Sequence, residues 1–458
     1  MANRRSDAVG ADPPPFLRSA LQTYSTNVAA AFLSLANVLI VARTLGAEGR
    51  GQVAFLTAIA WLTASFSTLG VQEANSNFAA SDPRSRRSLA TNSILLSLLF
   101  GGVTFAVLYG LIAVFPAAAG ESDPALRWIT FAFLPVIILM TCLRSLVLAD
   151  YGFSVANAAY LLPSILNAAV NGLFAGTGIL SVETAVGVWL AGQTLEALIL
   201  AAYVARRLAG FGRPDLGLAR RTLGFGAKAH VGRVMQLGNY RLDQWLLGAI
   251  AGPRELGLYS VAVAWAEALW FLPTALAAVQ RPDLVRAKLR RAAREAGRVF
   301  RAATLITGVS ALVMIAAAPI LCVVIFGEEF RGSIDDLRVL VAGAFGMVAL
   351  KLLGNALVAQ GKPVLQSIAI GTGFAFTLGL DIILIPPFGG IGAALASTLA
   401  YSVAGIIVAM IFVATLDARA SDLLPHGGDV AWFVQKLRRS ARRPAAPTTP
   451  EETPTAPF

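Results

Sequence analysis

Long stretches without a single Asp, Glu, Lys or Arg dominate this chain. They cover 19–42, 51–72, 88–120, 151–182, 302–327 and 382–416. Each can cross a ~30 Å hydrocarbon core as a helix. The apolar runs are continuous, so the alternating ~10-residue pattern of a membrane barrel is missing. Further apolar segments carry one or two charges. The pattern predicts twelve spans, at about 20–41, 51–73, 89–115, 128–148, 154–178, 185–205, 224–250, 257–279, 302–326, 339–360, 364–386 and 391–415. The expected fold class is an all-α polytopic membrane protein, with two six-helix lobes around a central cavity. The expected divisions are a cytoplasmic segment 1–18, an N-lobe 19–208, a linker 209–222, a C-lobe 223–416 and a tail 417–458.

Composition narrows the class. Of 458 residues, 56% are apolar and only 14% charged, against roughly 25% charged in a soluble domain. Too few charges remain to coat several soluble surfaces. The polar, Pro-rich first 18 residues lack the pattern of a cleaved signal, so the first span reads as a retained anchor. Cys142 and Cys322 are the only cysteines and both lie within expected spans. They read as small buried apolar side chains, with no disulfide framework or metal cluster.

The net charge of +11 is first a question of topology. With the N-terminus in the cytoplasm, 27 of the 37 lysines and arginines fall on cytoplasmic segments. Six fall outside: Arg43, Arg50, Arg127, Arg254, Arg331 and Arg338. Such a bias is a strong positive-inside signal, with both termini cytoplasmic. It removes nucleic acid as the reason for the basic balance. Within 281–301, Arg286, Arg290, Arg294, Arg298 and Arg301 share one helical face by their spacing. That face suits anionic membrane lipids. The tail around Trp432, Phe433 and Leu437 reads as interfacial, followed by a Pro-rich end.

The two halves resemble each other at an offset of about 206. Gly46 and Gly51 align with Gly252 and Gly257, and Ala60 with Ala266. Six spans per half preserve orientation, which makes a parallel repeat. Transporters built this way carry substrate between their halves near mid-membrane.

No external loop is long enough to form a catalytic domain, and the chain has only two histidines. No Walker A motif, metal spacing or nucleophile elbow occurs. The reading is therefore not an enzyme, and no cofactor is implied. Attention falls on charges inside the spans, which are expensive there and face a cavity or a partner. Glu73, Arg144 and Asp381 lie near expected span ends, where snorkelling accounts for them. Arg241, Lys351, Asp243, Glu196 and Glu267 lie deeper. His230, Arg233, Arg241 and Gln244 fall within about 80° of one another on the seventh span, at roughly 100° per residue. Asp243 points away from them. Two arginines and a histidine on one face suit an anion. Arg233, Arg241, Lys351, His230 and Gln244 are the candidate substrate residues. Asp243, Glu196 and Glu267 are candidates for cation coupling or for ion pairing with the arginines.

Three motifs carry a family resemblance. They are Ala42-Arg43-Thr44-Leu45-Gly46-Ala47-Glu48-Gly49-Arg50-Gly51, then Arg241-Leu242-Asp243-Gln244-Trp245-Leu246-Leu247-Gly248 running on to Glu255-Leu256-Gly257-Leu258-Tyr259-Ser260-Val261-Ala262, and Pro386-Pro387-Phe388-Gly389-Gly390-Ile391-Gly392-Ala393-Ala394. With the twelve-span layout over about 20–416, the chain resembles the Wzx-like polysaccharide flippases of the multidrug/oligosaccharidyl-lipid/polysaccharide exporter superfamily. The resemblance implies movement of an undecaprenyl-pyrophosphate-linked oligosaccharide between leaflets of the bacterial inner membrane. It implies a cationic central cavity, and glycosyltransferases and a glycan polymerase as neighbours in the pathway. Arg241 and Asp243 sit on the matching motif. Two other expectations stand beside it: a cation-coupled multidrug exporter of the same superfamily, and a non-transporting scaffold for glycan assembly.

Overall fold

The computed structural model describes residues 16–429 except 209, 425 and 427. The expected interfacial segment around Trp432 lies outside the described residues. The described chain is built of helices: α1 Phe16–Ser67, α2 Val71–Ser81, α3 Arg86–Val114, α4 Pro124–Ala132, α5 Leu134–Ala149, α6 Phe153–Thr177 and α7 Val182–Arg207. There follow α8 Leu216–Ile250, α9 Gly252–Ala268, α10 Phe271–Arg286, α11 Leu289–Pro319, α12 Ser333–Ala359 and α13 Pro363–Thr415. Helices are required because the hydrocarbon core offers no water to backbone polar groups. Where the chain re-enters, polar residues hold the first turns. Asp123 and Asp215 accept the amides of Leu126 and Leu218 at 2.7 and 2.8 Å. Ser181 and Thr184 form a reciprocal capping box.

Among the described residues, nine helical stretches are long and apolar enough to cross a membrane. The difference from twelve has two sources. The stretches 22–67 and 363–415, of 46 and 53 residues, exceed one crossing of ~20 residues. Each is interrupted by a glycine with positive φ, Gly46 at 69° and Gly389 at 56°. The helix α8, 35 residues long, does not qualify, because the seventh span carries the densest set of charged side chains.

The break at Gly46 brings the two halves together. A Cβ placed on Gly51 would stand 1.6 Å from the Pro253 carbonyl oxygen, and one on Gly257 would stand 1.8 Å from that of Ala47. Residues 47 and 253, and 51 and 257, are each 206 apart. The two contacts are thus one contact made twice, as a twofold relation between repeats requires. Around this seam Arg43 donates to the carbonyls of Ile325 and Val324, both at 2.6 Å. They lie at the end of the π-helical turn Ile320–Val324. Trp245 Nε1 reaches the Ala118 carbonyl at 3.4 Å.

Apolar packing follows the same division. One core joins α1–α9 to the seam-side ends of α12 and α13, with Leu337, Val341 and Ala393 buried beside Leu56 and Leu256. A separate core lies within the C-lobe toward the opposite end, around Met347, Leu353, Ala404 and Phe412. At that opposite end the lobes meet where α2 approaches α8. There Gly70 and Gly226 pack backbone to backbone, and His230 Nε2 donates to the Phe66 carbonyl at 2.7 Å.

The basic stretch 281–301 is not one helix. Ala287 and Lys288 are extended, so Arg286 ends α10 while the other arginines begin α11. Part of their face is taken by the chain itself. Arg290 pairs with Asp417, and Arg301 grips Asp429 through two bonds of 2.8 and 2.9 Å. The Arg301 hydrogen bonds hold the Asp429 carboxyl below its usual range.

The seam leaves no room for a methyl group. Gly51→Ala and Gly257→Ala are each expected to destabilise the protein by about 1–3 kcal/mol, the ordinary range for overpacking. Gly102→Ala and Gly110→Ala, which face open space, should be neutral. Thermal melting of the four purified variants in one detergent checks the contrast, and equal melting points would dismiss the seam as a constraint.

Candidate functional site

Between the lobes lies a cavity of about 750 Å³. The second half of α1 runs along it from Arg50, one turn past the break at Gly46, and α2 continues with Glu73 and Ser76. From Arg50 to Glu73 that path is roughly 35 Å at 1.5 Å per residue. Helices α5, α6 and α7 complete the N-lobe wall, and α8 and α9 supply the C-lobe wall. The lining is mixed. Trp61, Tyr160 and Trp189 present aromatic surface, while Ser65, Thr141, Ser164, Gln193 and Gln244 present hydrogen-bonding groups.

Seven charged side chains line it: Arg50, Arg144, Arg233, Arg241, Glu73, Glu196 and Glu267. Six of them form pairs across helices. Arg241 holds Glu267 with two parallel bonds, 2.5 and 3.2 Å. Arg144 is paired with Glu196, and its guanidinium lies 4.7 Å over the Tyr160 ring. Arg233 faces Glu73 at 3.7 Å, close enough for attraction and too far for a hydrogen bond. Arg50 has no partner of this kind, and its Nε is buried without a hydrogen bond.

The sequence candidates therefore separate. Arg233, Arg241, Gln244, Glu196 and Glu267 all line the cavity. His230 is used at the α2–α8 contact, where it satisfies a carbonyl left free at the end of α1. Lys351 stands away from the cavity lining, with its Nζ 5.8 and 5.7 Å from the ring centres of Tyr240 and Trp270. Three residues assigned elsewhere also line the cavity. Arg144 and Glu73, read as snorkelling, turn inward to carboxylate and guanidinium partners. Arg50, read as external, sits inside because the helix resumes at Ala47 and carries it one turn down. The deep acid Glu196 was the available signal for Arg144, since such a charge needs a partner.

Asp243 is buried and lies outside the cavity. It accepts from Tyr259 Oη at 2.5 Å, Ser397 Oγ at 3.3 Å and the Gln244 amide at 2.8 Å. One turn earlier, Asn239 receives a 2.6 Å bond from Thr377. Asp381 follows Thr377 by one turn just as Asp243 follows Asn239, so the two acids lie side by side. Asp381 is fully buried, and neither carboxylate oxygen has a hydrogen-bond partner. Burial at a helix-packed position, where snorkelling is impossible, replaces the span-end reading of this residue.

The family model for the polysaccharide biosynthesis protein family matches residues 40–335. The fold is that of transporters of the MOP superfamily. It is similar to the lipid II flippase MurJ in an inward closed conformation, with a TM-score of 0.72, 12% identity, and coverage of 93% of this chain and 94% of that one. It is also similar to an inward-facing multidrug resistance MATE family transporter, with a TM-score of 0.68, 16% identity, and coverage of 87% and 98%. A MOP superfamily transporter from Pyrococcus furiosus, described as having a binding pocket of reverse polarity, gives a TM-score of 0.59 at 15% identity, with coverage of 88% and 95%. No curated protein matches the sequence.

The bidentate Arg241–Glu267 pair can be tested as a unit. Arg241→Ala strands Glu267 in the cavity, and a double-mutant cycle with Glu267→Ala should show a coupling energy of about 1 kcal/mol or more. If the pair served only structure, the double variant would recover the full transport-dependent phenotype. A cavity role predicts that stability recovers while that phenotype stays impaired.

Proposed function

This chain belongs to the polysaccharide biosynthesis protein family, and from that premise we propose that it flips a polyprenyl-pyrophosphate-linked oligosaccharide across the bacterial cytoplasmic membrane. The observation that carries the reading is the charge balance of the cavity. Its lining holds four arginines against three glutamates, with each glutamate facing an arginine. The excess is cationic, which suits a phosphate-bearing headgroup. The faces of Trp61, Trp189 and Tyr160 suit sugar rings, and hydroxyl and amide groups between them suit sugar hydroxyls. The volume lies within the range of small-molecule sites, enough for the headgroup end of such a lipid.

The sided distribution of lysine and arginine supports a seam at the outer surface and both termini in the cytoplasm. The cavity is then sealed outward by the seam. Rocking of the lobes would break the seam and deliver the headgroup to the outer leaflet. The protein acts as a carrier and not as an enzyme, and glycosyltransferases and a glycan polymerase would supply and consume its cargo.

The drug-exporter reading fits less well, because no cavity glutamate is left to attract a cationic drug. One of its elements is retained. Asp243 and Asp381, adjacent and buried without a basic partner, would each cost several kcal/mol as free charges. A proton or a small cation removes that cost, so this pair is the natural entry point for the driving force.

Depletion of the protein should accumulate lipid-linked glycan intermediates on the cytoplasmic leaflet. Unchanged intermediates together with raised sensitivity to cationic drugs would reject the flippase. Asp243→Asn and Asp381→Asn should each lower ion-gradient-dependent transport at least tenfold in proteoliposomes while leaving the fold intact. Transport that responds to a sodium or proton gradient as in the unmodified protein would remove the pair from coupling.

A further inference from the structure

Arg50 is the cavity cation that no carboxylate neutralises. The other three arginines of the lining each face a glutamate across helices. An incoming anion would have to displace that glutamate before it could use their guanidinium groups. Arg50 needs no displacement. Among the described residues nothing bonds to its side chain, and its Nε is buried without a hydrogen-bond partner. Arg50 as a whole is half-buried, and a guanidinium with unused donors and no carboxylate partner is costly inside a membrane unless something binds it. Its planar fork matches the paired oxygens of a phosphate.

Position adds a second argument. Arg50 precedes Gly51, whose backbone lies against the Pro253 carbonyl. It therefore stands directly beneath the seam, at the closed end of the cavity, with Gln244 and Ser260 of the opposite lobe in the same lining. An anion held there touches the one layer that must part for the cavity to open on the other side.

We infer that Arg50 is the anion anchor of the cavity and takes the pyrophosphate group of the cargo. The inference rests on the flippase reading and adds to it the residue that distinguishes pyrophosphate from a neutral lipid. Binding of farnesyl pyrophosphate, inorganic pyrophosphate and farnesol to the full chain in detergent tests it. The unmodified protein should bind farnesyl pyrophosphate at least tenfold more tightly than farnesol. Arg50→Gln should erase that preference, and Arg50→Lys, which keeps the charge but not the fork, should retain part of it. Arg331→Gln, an exposed arginine paired with Glu328 outside the cavity, should change it by less than threefold. Melting curves identify any variant that fails to fold, and Arg50→Lys then decides the matter. Inorganic pyrophosphate competing with farnesyl pyrophosphate in the unmodified protein, but not in Arg50→Gln, supports a headgroup site.

Unaltered discrimination in a folded Arg50→Gln overturns the inference and leaves the flippase reading standing. Failure of the unmodified protein to prefer either pyrophosphate over farnesol overturns the anchor as well. If depletion then also leaves lipid-linked intermediates unchanged, the flippase reading falls with it.

Discussion

Two backbone contacts organise this molecule: the Gly51 backbone against the Pro253 carbonyl, and the Gly257 backbone against that of Ala47. They close only because neither glycine has a side chain. Membrane helices gain little from the hydrophobic effect on meeting one another, since lipid is as apolar as leucine. Close van der Waals approach has to supply the attraction, and small residues permit it. Because the contact is made twice, each lobe presents to the other the same surface it receives. The seam fixes where the lobes meet, and therefore which end of the cavity is closed. It also fixes the depth of Arg50, which the resumed helix carries one turn below the break.

Charge inside the cavity obeys a second constraint. Every glutamate in the lining faces an arginine from a neighbouring helix, so most of the ionic content cancels locally. Such pairs recover part of their desolvation cost through attraction and hydrogen bonds. They also tie α5 to α7, α2 to α8 and α8 to α9 at defined heights. These pairs keep the cavity lining polar without making it a strong site for either sign of charge. Selectivity then falls to the small remainder, which is cationic.

Much of this was legible in the sequence. The charge-free runs locate most of the membrane-crossing helices, and the repeat offset of 206 pairs the very glycines that touch. The cavity face of α8 followed from helical spacing, since Arg233, Arg241 and Gln244 all reach the lining. What sequence could not resolve was depth and direction. Arg50 belongs to a turn motif, and only the φ of 69° at Gly46 shows that the helix restarts before it. Lys351 is deep by count, yet α12 turns it toward Tyr240 and Trp270. Asp381 is near a span end by count, yet packing of α13 on α8 buries it. For Lys351 and Asp381, position along a span did not give position around it.

Helix α8 joins the two halves of the argument. One of its faces gives Arg233, Arg241 and Gln244 to the cavity, and the other gives Asn239 and Asp243 to the buried cluster with Thr377 and Asp381. A ligand shifts a conformational equilibrium only through a difference in its affinity for the two states. Occupancy at the buried acids and occupancy in the cavity can therefore influence each other if both depend on how α8 is placed. The structure meets that requirement simply. Asp243 adjoins Gln244 in sequence, and Gln244 adjoins Trp245, which bonds to Ala118 of the opposite lobe at the seam. Any tilt of α8 would move Asp243, the cavity wall and the Trp245 contact together. One helix thus carries all three sites, and no longer chain of residues is needed to connect them.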